Sequence, residues 1–84
     1  MPRVEFGIID WDAGSITYAT RRGISIAEIE DVIRSERDWT VNKKARAGNV
    51  MTTGRTRGGR LITVIALWNP HTRVIRPINA WEAK

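Results

Sequence analysis

The chain contains no cysteine, so neither a disulfide nor a thiolate-bound zinc holds the fold together. Histidine is nearly absent as well: His71 stands alone, which leaves little material for histidine-based proton transfer. Long apolar runs are missing. The longest, Leu61 to Trp68, is strand-sized and far short of the ~20 residues a membrane helix requires. The opening Met1-Pro2-Arg3-Val4-Glu5 lacks the apolar core of a secretory signal, so the chain reads as cytoplasmic, with no membrane partner. Arg57-Gly58-Gly59-Arg60 is hairpin-sized and has no helix after it, so it is not a nucleotide-binding loop. Carboxylates and histidine do not cluster at metal-ligand spacing, and no serine has a nucleophile's partners; the expectation is no metal and no cofactor.

What the chain does have is charge, unevenly placed. Its 84 residues are one domain's worth, read as a single unit over 1–84, with a formal charge of +5. Residues 1–36 carry four basic and seven acidic side chains, net −3, whereas residues 37–60 carry seven basic and one acidic, net +6. An acidic first part followed by a basic stretch makes a dipolar molecule, and a basic side steers toward a polyanion such as RNA or DNA.

The periodicity reads as α+β. Val4 to Trp11 is β-rich, a first strand. Asp12 caps a short helix from Ala13 to about Arg21, with Ile16 and Ala19 inward and Gly23 as its stop. Ser25-Ile26-Ala27-Glu28 fits a capping box, and Ile26, Ile29, Val32 and Ile33 form one apolar stripe of a second helix. From Trp39 the period becomes two, through Trp39–Lys44, Val50–Thr56, Leu61–Trp68 and Arg73–Ile78, with turn chemistry at Gly48-Asn49, Arg57-Gly58-Gly59 and Asn69-Pro70-His71-Thr72. Leu61–Trp68, apolar on both faces, is the expected central strand. Pro77 has no N–H for a ladder, which places the last strand at an edge or ends its pairing there. The expected order is β-α-α-β-β-β-β, with both N-terminal helices on one face of an antiparallel sheet.

Several segments together resemble the BrnT-type toxins of type II toxin–antitoxin systems. They are Phe6 and Trp11-Asp12; Arg22-Gly23-Ile24-Ser25-Ile26 with Glu28; Gly54-Arg55-Thr56; Gly59-Arg60-Leu61-Ile62-Thr63-Val64; and Arg73-Val74-Ile75-Arg76-Pro77-Ile78-Asn79-Ala80. They follow the family's order over nearly the whole chain. The resemblance implies a RelE-like fold and a metal-independent endoribonuclease that inhibits translation. It also implies a cognate antitoxin, of the ribbon-helix-helix kind. Two positions depart from the family pattern. Arg22 stands where the family has the histidine of a Lys-His-Gly or Arg-His-Gly step, and Asn79-Ala80-Trp81 replaces Ser-Ala-Arg.

Metal-free RNA cleavage needs a base for the 2′-hydroxyl proton, cations for the crowded phosphorane and an acid for the leaving oxygen. Arginine suits the second role, since its fork matches phosphate and it stays charged. Arg55, Arg60 and Arg76 are therefore the expected phosphate-binding trio, brought together across neighbouring strands. His71 and Glu28 are secondary candidates for proton transfer, Glu28 having a sufficient role in the capping box. Lys43, Lys44, Arg46 and Arg57 read as peripheral contacts to the RNA backbone. Among four tryptophans, Trp68 and Trp11 read as core, while Trp39 and Trp81 are candidates for stacking on unpaired bases or for burial against a partner protein, with core packing the leading reading of each. Two other classes fit the same residues: a non-catalytic RNA- or DNA-binding module, and an interaction subunit whose basic side docks an acidic protein. A homodimer is compatible with each.

Overall fold

The structure, a computed structural model, describes residues 4–36, 38–41 and 49–83. The element order is β1 (Ile8–Ile9), α1 (Ala13–Thr20), α2 (Ile26–Ser35), β2 (Thr40–Val41), β3 (Val50–Arg55), β4 (Leu61–Asn69) and β5 (Val74–Glu82). This is the order expected from periodicity. The strands form one sheet, β1-β5-β4-β3-β2, with β4 in the middle. The sheet is mixed, not antiparallel. β1 runs parallel to β5, with Ile8 opposite Val74 and Ile9 opposite Ile75. A parallel neighbour requires a long crossover, and the whole of α1 through β4 supplies it.

Both helix starts follow local chemistry. Asp12 accepts the Ser15 N–H at 2.7 Å, and Ser15 Oγ in turn accepts the Asp12 N–H at 3.0 Å. Ser25 and Glu28 exchange the same pair of bonds at 3.1 Å each. Reciprocal capping of this kind satisfies donors that a helix end leaves orphaned. Gly23, at φ 82°, takes the left-handed conformation that lets the chain turn from one helix into the next.

α2 presents Ile29, Val32 and Ile33 to β3 and β4, while α1 lies against β5. These side chains join Ala19, Ile24, Trp39, Val50, Ile62, Val64, Ala66, Ile75 and Ala80 in the core. Trp39, read first as core with stacking or a partner interface as the alternatives, is 1% exposed, its indole N–H donating to the Glu36 carbonyl at 3.2 Å. It is core. Trp11 and Trp68 pack against the same cluster from its margin.

The remaining differences have local causes. The first strand pairs only over Ile8–Ile9, because β1 meets β5 over two residues. β2 is likewise two residues long, and Lys43, Lys44 and Arg46 lie outside the described residues. The last strand runs on through Pro77 to Glu82. Its register shifts between Ile65, paired with Asn79, and Ala66, paired with Pro77, so Ile78 is the extra residue of a bulge. A bulge is where a strand accommodates a residue that cannot donate to the ladder. Among the described residues no helix is long and apolar enough to cross a membrane.

Candidate functional site

Period-two alternation and the observed register divide the sheet into two faces. One carries Val50, Thr52 and Gly54 of β3, Ile62, Val64 and Ala66 of β4, and Ile75, Pro77 and Ala80 of β5, and α2 packs on β3 and β4 while α1 lies along β5. The opposite face carries rows of side chains lying across the strands. Arg55 is beside Leu61; Thr53, Thr63 and Trp81 make the next row; Met51, Ile65 and Asn79 the next; Leu67 and Arg76 follow. Thr53 and Thr63 share a hydroxyl hydrogen bond of 2.8 Å, and Leu67 is 45% exposed.

The expected trio is split by this geometry. Arg55 and Arg76 stand on the open face but at opposite ends: their β4 neighbours, Leu61 and Leu67, are six residues apart, or about 20 Å of strand. Arg60 turns the other way. Its guanidinium donates through Nε to Glu82 at 3.2 Å, and through Nη1 to the Gly23 carbonyl at 3.2 Å and to Glu28 at 3.4 Å. The Glu82 hydrogen bond raises the Arg60 pKa above its ordinary value. Arg76 donates through Nε to Asp10 at 2.9 Å and stands 3.3 Å from Asp12, and the Asp10 bond raises its pKa likewise. Both arginines are thus matched by two carboxylates each. They tie the α1–α2 corner and the start of α1 to the sheet.

The proton-transfer candidates are apart as well. Glu28 sits beside Arg60 at the start of α2. Its carboxyl is held below the usual range, first by the Ser25 backbone N–H, so it is an ionised and weak base. His71 is exposed in the turn between β4 and β5, at the other end of the sheet from Arg60. Arg57, 92% exposed, pairs with Asp31 at 3.5 Å. Among the described residues, no three His, Cys, Asp or Glu side chains are grouped so as to hold a metal ion.

What the structure does bring together was not anticipated from spacing. Arg22 Nη1 donates to Asn79 Oδ1 at 2.8 Å. Trp81 stands two residues beyond Asn79 on the same face. Asn79 is neutral, so Arg22 is positioned without losing its charge. Arg55 is held in the same manner, by the Gly59 carbonyl at 2.8 Å. Neither has a carboxylate partner among the described residues, in contrast to Arg34, Arg57, Arg60 and Arg76. Trp81 is also distinct. The indole N–H groups of Trp11, Trp39 and Trp68 donate to Glu30, the Glu36 carbonyl and the Glu5 carbonyl, whereas that of Trp81 has no partner among the described residues and is not buried.

The open face therefore presents two unneutralised, positioned guanidinium groups and a half-buried tryptophan with a free donor. Phosphate takes the first and an unpaired base stacks on the second. Set against known proteins, the chain matches no family model, no curated protein and no solved structure.

Proposed function

We propose that this protein binds single-stranded RNA across the open face of its sheet, as the RNA-directed toxin of a toxin–antitoxin pair of the BrnT-like kind. The observation that carries RNA binding is the contrast among its arginines: Arg22 and Arg55, on or beside that face, are held by neutral groups, while Arg60 and Arg76 are matched by carboxylates. A cation fixed by neutral partners keeps its charge for a ligand. The toxin assignment rests on the ordered resemblance of the segments and on the β-α-α-β-β-β-β order, which also supports a RelE-like relationship. By the same resemblance the neutralising partner is a ribbon-helix-helix antitoxin.

Cleavage of the bound RNA is the second reading, and it rests on the ordered resemblance to metal-independent endoribonucleases. In it, a base removes the 2′-hydroxyl proton, the oxygen attacks phosphorus, and the bond to the 5′-oxygen breaks as that oxygen gains a proton.

Induced expression with growth as the readout, together with incubation of purified protein and labelled RNA in EDTA, separates these outcomes. Growth arrest with RNA bound intact supports a binding toxin. Arrest with cleaved RNA supports the second reading. Unimpaired growth and no retention of RNA at physiological salt, from a folded sample, refutes both.

A further inference from the structure

We infer that Arg22, Asn79 and Trp81 form a base-reading site for an unpaired guanine. This deepens the RNA-binding reading and rests on it.

The Asn79 side chain is fixed from two directions. Its Oδ1 accepts Arg22 Nη1 at 2.8 Å and the Ala80 backbone N–H at 3.0 Å. With the oxygen so engaged, its amide nitrogen keeps both hydrogens for a ligand. Arg22 gives up one donor to this bond, which leaves Nε and Nη2 as a parallel pair at the guanidinium's other edge. Trp81 lies two residues along β5 from Asn79, about 7 Å away on the same face. That spacing suits a base stacked on the indole with one edge toward the Arg22–Asn79 pair.

The donors and the indole together select the base. A guanidinium fork fits two adjacent acceptors, which guanine offers as O6 and N7 and unpaired cytosine as N3 and O2, and the purine of the two stacks more of its surface on Trp81. Adenine sets an amino donor next to N7, which opposes the fork. Uracil separates its two carbonyls by an N–H. An ammonium at position 22 would keep the charge and lose the fork.

The test is fluorescence anisotropy with labelled 2′-O-methyl pentanucleotides, which cannot be cleaved through a 2′-hydroxyl. The central base in a uridine context is guanine, hypoxanthine, 7-deazaguanine, adenine or cytosine. Guanine and hypoxanthine, which share O6 and N7, are expected to bind about tenfold more tightly than adenine or 7-deazaguanine. Arg22→Lys is expected to abolish this ratio while retaining most of the affinity for the adenine oligomer. Asn79→Leu is expected to reduce the ratio with an unchanged melting temperature. Equal binding of guanine and adenine oligomers, tighter binding of cytosine, or a ratio that survives Arg22→Lys overturns the base-reading site and leaves RNA binding standing. Failure of the wild-type protein to bind any oligomer overturns RNA binding itself, and this site with it.

Discussion

Arg22 and Asn79, fifty-seven residues apart in the chain, meet through a hydrogen bond of 2.8 Å at the β5 side of the open sheet face. The bond joins the turn after α1 to the last strand and uses a neutral acceptor, so it orders a guanidinium without cancelling it. Arg55 is ordered similarly by a backbone carbonyl. Arg55 is expected to contribute one phosphate contact, and Arg22 a contact to a base edge. Arg55→Ala should lower the slope of log affinity against log salt by about 0.7, the increment for one contact on a single strand, whereas Arg22→Ala should lower affinity with little change of slope. Titrations of labelled RNA at three or more salt concentrations measure it.

Arg76 should behave differently. It joins β5 to Asp10 and Asp12 at the start of α1, and its charge is already answered. Arg76→Ala is expected to lower the melting temperature and to leave RNA affinity within about twofold of wild type, the ordinary effect of removing a charge that contacts no phosphate. Thermal unfolding by circular dichroism, run beside the binding titration, checks both halves.

Gly23 is the hinge of the corner that holds Arg22. Its φ of 82° is strained for any residue with a Cβ, although nothing lies close enough to clash with one. Gly23→Ala should therefore cost about 1–2 kcal/mol from backbone strain alone. Because Gly23 adjoins Arg22, whose bond to Asn79 depends on this corner, the same substitution should weaken RNA binding more than its stability cost explains. Chemical denaturation gives the first quantity and anisotropy the second.

Acid should loosen the helix starts. Asp12 and Glu28 are both held below their ordinary pKa values, chiefly by backbone N–H groups of Ser15 and Ser25. A carboxyl whose pKa is lowered on folding contributes stability that is complete above its unfolded value and is lost as pH falls through the folded one. The melting temperature is expected to be level from neutrality to about pH 5 and to decline below about pH 4. Glu28→Gln should make that decline shallower, and an unaltered pH profile would show that Glu28 does not contribute.

Much of the architecture was readable because it is locally encoded. Asp12 and Ser25 announce their helices, the Ile29–Val32–Ile33 stripe announces a buried face, and Leu61–Trp68, apolar on both faces, announces the central strand. The parallel pairing of β1 with β5 was not readable, since alternation identifies a strand but not its neighbour. The site followed the same division. Arg55, Arg60 and Arg76 were recognisable as arginines on or beside strands, yet their roles depend on Glu82, Glu28, Asp10 and Asp12, which only the fold brings near. Trp39 and Trp81 are alike in sequence setting, and only packing separates a buried ring from a half-exposed one. Arg22 carried one signal, its place where the resembled pattern has histidine. Its partner Asn79 carried the matching one, at the other end of the chain.

RNA binding by the open face is tested most directly by three isotherms for one labelled single-stranded RNA at a fixed near-physiological salt. They belong to the wild type, the double variant Arg22→Ala/Arg55→Ala, and Arg76→Ala, each confirmed folded. The predicted result is a loss of at least about tenfold in the double variant, as expected for two charged contacts, with Arg76→Ala close to wild type. A double variant that binds as tightly as wild type, or an Arg76→Ala protein that loses as much, contradicts the assignment of the open face as the RNA-binding surface.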